Sequence, residues 1–485
     1  MTQPKLELLT VDLIDRILDE AFQLMQKPGI KVQSAEARDL LSEAGAMAEG
    51  DVVKIPEKII RKSLETVPAE FHLYDRNGKP KVHYGGNSVH FDPGSSGVHI
   101  LDPETVEHKP SYTADLVRLV KVAEMLPQFA AQSTAIVCNE VPKAIGDLYR
   151  LYVVLLFSQK PIVTGSFSLQ TLGTMIDMLV IFSGDRRALV DRPQAVFDVC
   201  PSPPLIWSDF GAGNLIELGR ACVPAQLISM PLAGAAAPVT LLGSIVQHAA
   251  ESLSGIAIHQ LANPGAPIVW GGAPAIFDMR RGTTPMGAIE TAMIDAAYAQ
   301  VGKSLNLPTH AYLGASDAKI VDAQAGLESG VTTLVGALAG INMISGAGML
   351  DFLACQSPEK LVVDAEGIAM AQRLLAGIEV RTETLATALF EGINFKGDFL
   401  KQKVTRELFS KEQNLPSAVI DRESHRGWQA AGSLDTFARA KKRTRELLAA
   451  YEKPNYPPEQ MRELRMMVES LAHNAGMDNL PELGE

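Results

Sequence analysis

The sequence predicts an α/β protein built as a (β/α)₈ TIM-type barrel with an N-terminal cap and a C-terminal helical extension. Two observations support this fold class: short apolar runs alternate with segments of helical length, and the alternation yields eight strand–helix units. Parallel strands need crossover helices and two covered faces, which a closed barrel supplies. An open doubly wound sheet is the alternative, but the glycines at 211, 213, 271 and 272 lack its usual G-x-G-x-x-G spacing.

Each predicted strand is a short apolar run bounded by turn residues or by a predicted helix. The strands are residues 130–138, 161–166, 195–200, 225–230, 267–270, 308–312, 342–345 and 360–363. The helices between them include residues 169–182, 214–222, 239–261, 287–305, 322–339 and 367–378. This rhythm assigns residues 113–381 to the barrel.

The flanking segments have different patterns. Residues 1–112 begin with predicted helices at 11–26 and, with Ser34 as N-cap, at 34–43, and continue as short strands, which indicates a helical and short-strand cap. Residues 382–485 are rich in charge, and amphipathic patterns at 437–452 and 458–471 predict a helical extension.

The composition disfavours several kinds of partner. With 46% hydrophobic residues the chain can bury a large core, while a net charge of −12 without Lys/Arg clusters argues against nucleic acid or anionic membranes. Cysteines 138, 200, 222 and 355 are widely spaced, so we expect buried thiols in a reducing compartment and no zinc site. Since no apolar stretch is long enough to span a membrane, we expect a cytoplasmic protein with small-molecule or protein partners.

Residues 307–330 form the predicted sixth strand, loop and helix. The strand ends at Tyr312, a polar turn broken by Gly314 follows, and the helix begins near Val321. Barrel active sites lie where strands end, so we expect this loop to face a small-molecule pocket. The alternative is that Ser316 and Asp317 only cap the helix.

The predicted strand ends contain few acids or bases and many glycine, serine, proline, methionine and aromatic residues. This composition disfavours a zinc hydrolase, a two-carboxylate glycosidase, a Schiff-base aldolase and a serine hydrolase. Methyl transfer from a quaternary ammonium fits better, because the substrate already carries its activating charge and the leaving amine is neutral. Aromatic faces or a carboxylate near the ammonium would position it.

Several motifs in order resemble the trimethylamine methyltransferase family. They are SMPLAGAAAPVTLLGSIVQHAAE (229–251), WGGAPAIFDMRRGTTPMGAIE (270–290), SDAKIVDAQAG (316–326), GAGMLDFLACQSPEKLVVDAE (346–366) and, in the tail, HRGWQAAGSLDTFARAKKRTRELL (425–448). The resemblance implies a (β/α)₈ barrel that transfers a methyl group to Co(I) of a corrinoid carried by a separate protein. Founding members contain pyrrolysine, which this sequence lacks, so it resembles the non-pyrrolysine branch, whose characterised members demethylate quaternary amines.

The resemblance implies that the protein takes a methyl group from a betaine, with glycine betaine and proline betaine as the best candidates. It implies no tightly bound cofactor, because the cobalamin arrives on the corrinoid protein, and it is compatible with a homo-oligomer. Two alternatives remain open: a betaine-binding protein without catalysis, and a pterin-dependent methyltransferase, for which Asn139 would be a pterin contact.

The candidate site residues lie at predicted strand ends and in the loops that follow. The candidate catalytic residues are Tyr312, Asp317 and Glu366. The candidate substrate-binding residues are Trp270, Phe352 and Phe91, together with Tyr312, for a cation cage, Arg280 or Arg281 and the backbone amides from Gly346 to Gly348 for a carboxylate, and Ser316. Asp317, Asp364 and Glu366 are the candidate counter-charges to the ammonium. The alternatives left open are core packing for the aromatic residues, an internal ion pair for the arginine, and helix-terminus roles for the acids.

Overall fold

The computed structural model describes residues 3–392, 395 and 397–484. Helices and short strands alternate in the N-terminal segment. They are α1 (Val11–Gln26), β1 (Ile30–Val32), α2 (Ala35–Glu43), β2 (Met47–Glu49), β3 (Val52–Lys54), α3 (Glu57–Leu64), β4 (Phe71–Tyr74), β5 (Pro80–Tyr84), β6 (His90–Pro93), β7 (His99–Leu101) and β8 (His108–Pro110). The Ser34 side chain accepts a hydrogen bond from Ala37 N, which confirms its predicted role as N-cap of α2.

The middle of the chain alternates between strands and helices as predicted. Its elements are α4 (Thr113–Met125), β9 (Gln132–Ser133), α5 (Gly146–Phe157), β10 (Ile162–Thr164), α6 (Leu169–Ser183), α7 (Arg186–Asp191), β11 (Ala195–Val199), β12 (Ile206–Trp207), α8 (Asp209–Ala221), β13 (Ala225–Leu227), β14 (Leu232–Ala233), α9 (Leu241–Ala262), β15 (Ile268–Val269), β16 (Ala275–Ile276), α10 (Ile289–Ser304), β17 (His310–Ala311), α11 (Ala323–Leu338), β18 (Met343–Ala347), β19 (Met349–Leu350), β20 (Cys355–Gln356) and α12 (Pro358–Leu375).

The C-terminal segment is helical, as its amphipathic pattern predicted. Its α-helices are α13 (Lys403–Glu412), α14 (His425–Ala430), α15 (Thr436–Ala450) and α16 (Pro458–Asn474). Tyr451, just after α15, donates from its hydroxyl to the Phe157 carbonyl at 2.6 Å and so ties the tail to the end of α5. Among the helices of the described residues, none combines the length and the apolar character that crossing a membrane requires.

Two parallel sheets lie at the centre of this mixed α/β fold. One has the strand order β15-β13-β11-β10-β9, and the other has β18 between β17 and β6. The sheets adjoin at two places. Trp270, after β15, forms a parallel bridge with Thr309, before β17, and Ala130 N, before β9, donates to the Phe91 carbonyl of β6 at 2.9 Å. The predicted α/β class with parallel strands is confirmed.

One face of the parallel strands contributes to an apolar cluster that is distinct from the larger core beneath the helices. The cluster consists of Ala131, Val163, Val196, Val269 and Met343 from or beside the parallel strands, and of Leu73, Val82 and Tyr84 from the β4–β5 hairpin. Phe197, the neighbour of Val196 on β11, packs in the larger core instead, as the alternation of side chains along a strand requires. The hairpin therefore packs against the same face of several parallel strands.

The predicted strand at residues 360–363 is wrong. These residues lie inside α12, which begins at Pro358 and is capped by the Ser357 side chain accepting from Lys360 N. Proline is favoured in the first turn of a helix, so the run of apolar residues after it continues as helix. The strand next to β18 is instead β6, which comes from the segment predicted as the N-terminal cap.

A pair of helical glycines tests the packing around the second parallel sheet. A Cβ on Gly302 of α10 would lie 2.5 Å from the Trp270 ring, so Gly302→Ala should lower the free energy of unfolding by about 1 to 3 kcal/mol through overpacking. Gly326→Ala on α11 is the matched control, because its added Cβ meets no atom within 4 Å and helix propensity should raise stability by up to about 1 kcal/mol. Urea unfolding measures both, and a Gly302→Ala variant as stable as the wild type would contradict this packing.

Candidate active site

Polar side chains lie beyond the apolar cluster, towards the carboxyl ends of the parallel strands. Asp198 is two residues after Val196 on β11, and Ser345 is two residues after Met343 on β18. Side chains two residues apart on a strand share a face, so both point to the interior side that carries the cluster. Tyr312 follows β17 at the same ends. Parallel α/β enzymes place their ligand sites at this end of the strands.

Asp198 accepts hydrogen bonds from the neighbouring strand β13 and from the residue after β17, which belongs to the other parallel sheet. Tyr312 donates from its hydroxyl to Oδ2 at 2.9 Å, and Gln226 donates from Nε2 to Oδ1 at 2.7 Å. The Tyr84 hydroxyl, at the end of the hairpin, donates in turn to Gln226 Oε1 at 3.0 Å, and Ser95 Oγ lies 3.1 Å from the Tyr312 hydroxyl. Asp198 and Ser95 are partly exposed, whereas Tyr84, Gln226 and Tyr312 are buried.

Burial controls the charge of the two interior acids. It raises the pKa of Asp198 to about 7, against the opposing effect of its hydrogen bonds from Gln226 and Tyr312. Burial also raises the pKa of Asp92 on β6 well above its ordinary value, although Ser345 donates to its Oδ1. Burial therefore favours the protonated form of Asp92, and Asp198 is close to its midpoint near pH 7. A bound cation would ionise Asp198.

His310 on β17 supports this network as a neutral ring. Its Nε2 lies 3.0 Å from Ser345 Oγ, and its ring packs edge-on against Tyr312 with the centroids 5.0 Å apart. Burial lowers the pKa of His310 to about 3, so the ring carries no charge at neutral pH. His310 consequently orients Ser345 and Tyr312 without competing with a cationic ligand.

The loop at residues 314–322 is fastened to its neighbours by carboxylates. Glu328 of α11 accepts from Ser316 Oγ at 2.6 Å and from Asp317 N at 2.8 Å. Asp317 itself accepts from Met286 N at 2.8 Å and from Gly287 N at 3.1 Å. The N-cap of α11 is Asp322. Ser316 and Asp317 thus join this loop to the loop before α10, a role that the sequence analysis did not anticipate.

The predicted cation cage is not assembled. Trp270 is fully buried and donates from Nε1 to a backbone carbonyl of α10 at 2.9 Å, and Phe91 packs in the helix-facing core. The Phe352 ring already faces an internal cation, Lys319 Nζ, 3.9 Å from its centroid. Of the four aromatic candidates, Tyr312 lies in the network around the interior acids.

Two polar candidates also have internal partners. The exposed guanidinium of Arg280 pairs with Asp278 at 2.9 Å, which is the intramolecular ion pair that the sequence left open. Asn139 donates from Nδ2 to the Ser111 carbonyl at 3.0 Å and to the Val98 carbonyl at 3.2 Å, so it braces the backbone. Neither side chain is directed at Asp198 by these contacts.

The remaining acids brace helix α12. Asp364 accepts from Lys360 Nζ at 2.6 Å and from Gly348 N at 2.7 Å, and Glu366 accepts from Ser417 N of the tail at 3.3 Å. Their predicted position at a strand end depended on the strand at 360–363, which is helix. On a helix these side chains point to neighbouring segments, and they are not part of the Asp198 network.

Sequence reasoning missed Asp92, Asp198, His310 and Ser345. A signal was present for Asp198, the single charged residue in the buried run AVFDV. Such a residue in an alternating buried strand must face either helices or the interior, and either position demands a partner. Asp92 gave a weaker signal, because HFDP resembles a turn.

Comparison with known proteins is consistent with a methyl-transfer site. A family model described as trimethylamine methyltransferase (MTTB) matches residues 1–475. The chain belongs to this family. It is 32% identical over 461 residues to the trimethylamine methyltransferase MttB of Methanosarcina barkeri, with 92% of each chain covered. It is 28% identical over 458 residues to the glycine betaine methyltransferase of Desulfitobacterium hafniense (strain Y51), covering 94% of this chain and 95% of that one.

These matches confirm the predicted family and the prediction of a methyltransferase enzyme. Among solved structures, the monomethylamine methyltransferase of Methanosarcina barkeri is similar with a TM-score of 0.53 and 11% identity, covering 98% of this chain and 89% of that chain. At this identity the likeness shows the fold alone.

Substitution of two aspartates in the same loop distinguishes a structural role from contact with the ligand. Asp317→Asn removes one of two acceptor oxygens and should lower the free energy of unfolding by about 1 to 3 kcal/mol, with little effect on amine affinity. Asp322→Asn is the control, since asparagine caps a helix about as well as aspartate. Urea unfolding and calorimetric titration measure the two effects. A stable Asp317→Asn variant with strongly weakened binding would contradict the bracing role.

Proposed function

We propose that this methyltransferase removes a methyl group from a betaine and transfers it to Co(I) of a corrinoid carried by a partner protein. The observation that supports it is Asp198, a partly exposed residue whose carboxylate accepts from the Tyr312 hydroxyl at the carboxyl ends of the parallel strands. A quaternary ammonium keeps its charge when it leaves water, so it needs a counter-charge or an aromatic face in the site. Asp198 provides the counter-charge, and Tyr312 provides the aromatic ring.

The transfer requires no proton donor or acceptor from the protein. The methyl carbon bonds to an incoming electron pair while its bond to nitrogen breaks, and that bond's electrons stay on nitrogen, so a neutral tertiary amine leaves. The corrinoid, when bound, supplies the electron pair as Co(I). The residues of this chain hold the ammonium with one methyl group directed outwards and keep the surrounding interior dry. The uncharged ring of His310 and the raised pKa of Asp92, both caused by burial, fit this division of roles.

Large apolar side chains are exposed on segments that follow the parallel strands. Phe167 follows β10 and is 47% exposed, Met230 follows β13 and is 38% exposed, and Met279 follows β16 and is 77% exposed. Exposed apolar groups around a polar interior suit a site that a partner covers during turnover. The proposal therefore assigns the corrinoid to the partner, with no cofactor bound tightly by this chain.

The proposal includes closure of the two parallel sheets into a (β/α)₈ barrel. One sheet has five strands and the other has three. The bridge between Trp270 and Thr309 and the hydrogen bond between Ala130 and Phe91 link them at both junctions. The shared apolar cluster supports closure as well, because strands from both sheets contribute to it. Strand β6 completes the ring in place of the predicted strand in α12.

The choice of a betaine is supported by the glycine betaine methyltransferase among the relatives and by the Asp198 carboxylate, which can pair with a quaternary ammonium. Glycine betaine and proline betaine are the substrates proposed. They differ by a few methylene groups, which pocket shape distinguishes by about 1 to 3 kcal/mol per group.

Methyl transfer is measured by incubating the protein with reduced cobalamin or a corrinoid protein and with glycine betaine, proline betaine, carnitine, choline or trimethylamine. The wild type should release the tertiary amine from a betaine, and Asp198→Asn should lower kcat/KM by roughly 30-fold or more, because it removes the counter-charge. Burial favours the uncharged form of Asp92, so Asp92→Asn should change kcat/KM much less than Asp198→Asn, by no more than about threefold. The proposal would be contradicted if the protein demethylated trimethylamine but none of the betaines, or if it demethylated none of these compounds.

Affinity for a betaine should increase as the pH rises through about 7. Below that pH the Asp198 carboxyl is protonated, so the Kd for the betaine should increase roughly tenfold for each unit by which the pH falls. Above about pH 7 the Kd should become constant. The effect on stability has the opposite sign. Between the ordinary pKa of 3.8 and about 7 the folded state retains the Asp198 proton that the unfolded state has lost. The stabilisation by this proton is therefore complete below that range and is lost as the pH rises through it to about 7. Titration of glycine betaine across this range tests the first effect, with Asp198→Asn as the pH-independent control. If the Kd of the wild type and that of Asp198→Asn changed with pH in the same way, Asp198 would not be the group that binds the ammonium.

A further inference from the structure

A buried arginine lies beside the Asp198 network without a carboxylate partner. Arg150 is on α5, is 1% exposed, and donates from Nη1 to Ser96 Oγ and to the Thr134 carbonyl, both at 3.0 Å. Among the residues that the structure describes, no carboxylate oxygen lies within 4.0 Å of its guanidinium. Burying a cation without an anion is costly, so the position of this side chain requires an explanation.

The two hydrogen bonds leave one edge of the guanidinium unused. Both bonds use Nη1, Nε is buried without a partner, and Nη2 has no acceptor within the described part of the chain. Nε and Nη2 are the parallel donors that can bind the two oxygens of a carboxylate together. The Phe167 ring lies 4.5 Å from the guanidinium carbon and covers its face. The two hydrogen bonds and the Phe167 ring therefore hold the Nε–Nη2 edge in one orientation.

The Arg150 guanidinium belongs to the same interior as Asp198. Its partner Ser96 follows Ser95 in the chain, and the Ser95 hydroxyl lies 3.1 Å from the Tyr312 hydroxyl that donates to Asp198. Burial lowers the pKa of Arg150 to about 10. Asp147 on the same helix makes the largest electrostatic contribution in the opposite direction, and Tyr312 and Asp198 make smaller ones. Arg150 remains a cation at neutral pH, and its partner Ser96 is joined to the acid through Ser95 and Tyr312.

We propose that Arg150 binds the carboxylate of a zwitterionic substrate and so selects betaines over methylamines that lack a carboxylate. The inference rests on the proposed function, in which Asp198 holds the ammonium group. A betaine would present its two charges to two fixed charges of opposite sign. Choline or trimethylamine would leave the Nε–Nη2 edge buried and unpaired, and sites built for a polar group reject ligands that lack it. Arg150 thereby takes the role that the sequence analysis gave to Arg280.

The test compares glycine betaine with its carboxamide, which keeps the ammonium group but has no carboxylate, and with choline. Calorimetric titration at about pH 8.5, where Asp198 is ionised, measures the three affinities. The wild type should bind the acid roughly 30-fold or more tightly than the amide, because the amide cannot accept both hydrogen bonds as an anion. Arg150→Gln should lose about this factor for glycine betaine and change by less than about threefold for choline. Arg150→Lys keeps the charge without the paired donors and should be intermediate.

Arg76 provides the matched control. Burial also lowers its pKa to about 10, but its backbone N donates to the Gln159 carbonyl before β10, at the opposite ends of the strands. Arg76→Gln should leave the ratio of acid to amide affinity unchanged.

The outcomes separate the two proposals. Equal binding of acid and amide by the wild type, or an unchanged preference in Arg150→Gln, would overturn the role of Arg150 while the proposed function stands. A wild type that binds none of the ammonium compounds would overturn the proposed function and this inference together. The comparison of acid with amide uses the unaltered protein, so its result does not depend on whether a variant folds.

Discussion

Desolvation at the carboxyl ends of the parallel strands is the constraint on which the site depends. The carboxylate of Asp198 is surrounded by protein, and two hydrogen bonds offset only part of the cost of its charge. This balance leaves it near its midpoint at neutral pH, so a bound cation can stabilise the ionised form. The hairpin contributes to the same balance, because Tyr84 holds the Gln226 amide that faces Asp198.

The interior holds two groups of opposite charge that do not pair. Among the described residues, Asp198 and Arg150 form no ion pair with each other, and Ser95 and Tyr312 join the acid to Ser96, which Arg150 binds. A direct ion pair would satisfy both charges and leave nothing for a ligand to complete. The apolar cluster under this layer and the carboxylate braces at Glu328 and Asp317 keep the strand ends and loops in register, so the separation is maintained without ligand.

Local patterns predicted much of the fold and little of the site. The helix Val11–Gln26 and the Ser34 cap follow from apolar spacing and one side-chain hydrogen bond, which neighbouring residues encode. The apolar run at 360–363 is too short to distinguish a strand from one turn of a helix. β6 was predicted among the short strands of the N-terminal segment, but its place beside β18 was not. Each was decided by what packs beside it.

The sequence by itself determined the family, the α/β class and most helix positions, because these depend on composition, local periodicity and motifs in order. Only the tertiary structure decided which polar groups meet. Arg150, Asp198 and Tyr312 are far apart in the chain, and their meeting depends on strand order and on the face that each side chain takes. A shift of one residue in a strand would turn Asp198 towards the helices, and no local pattern encodes that register.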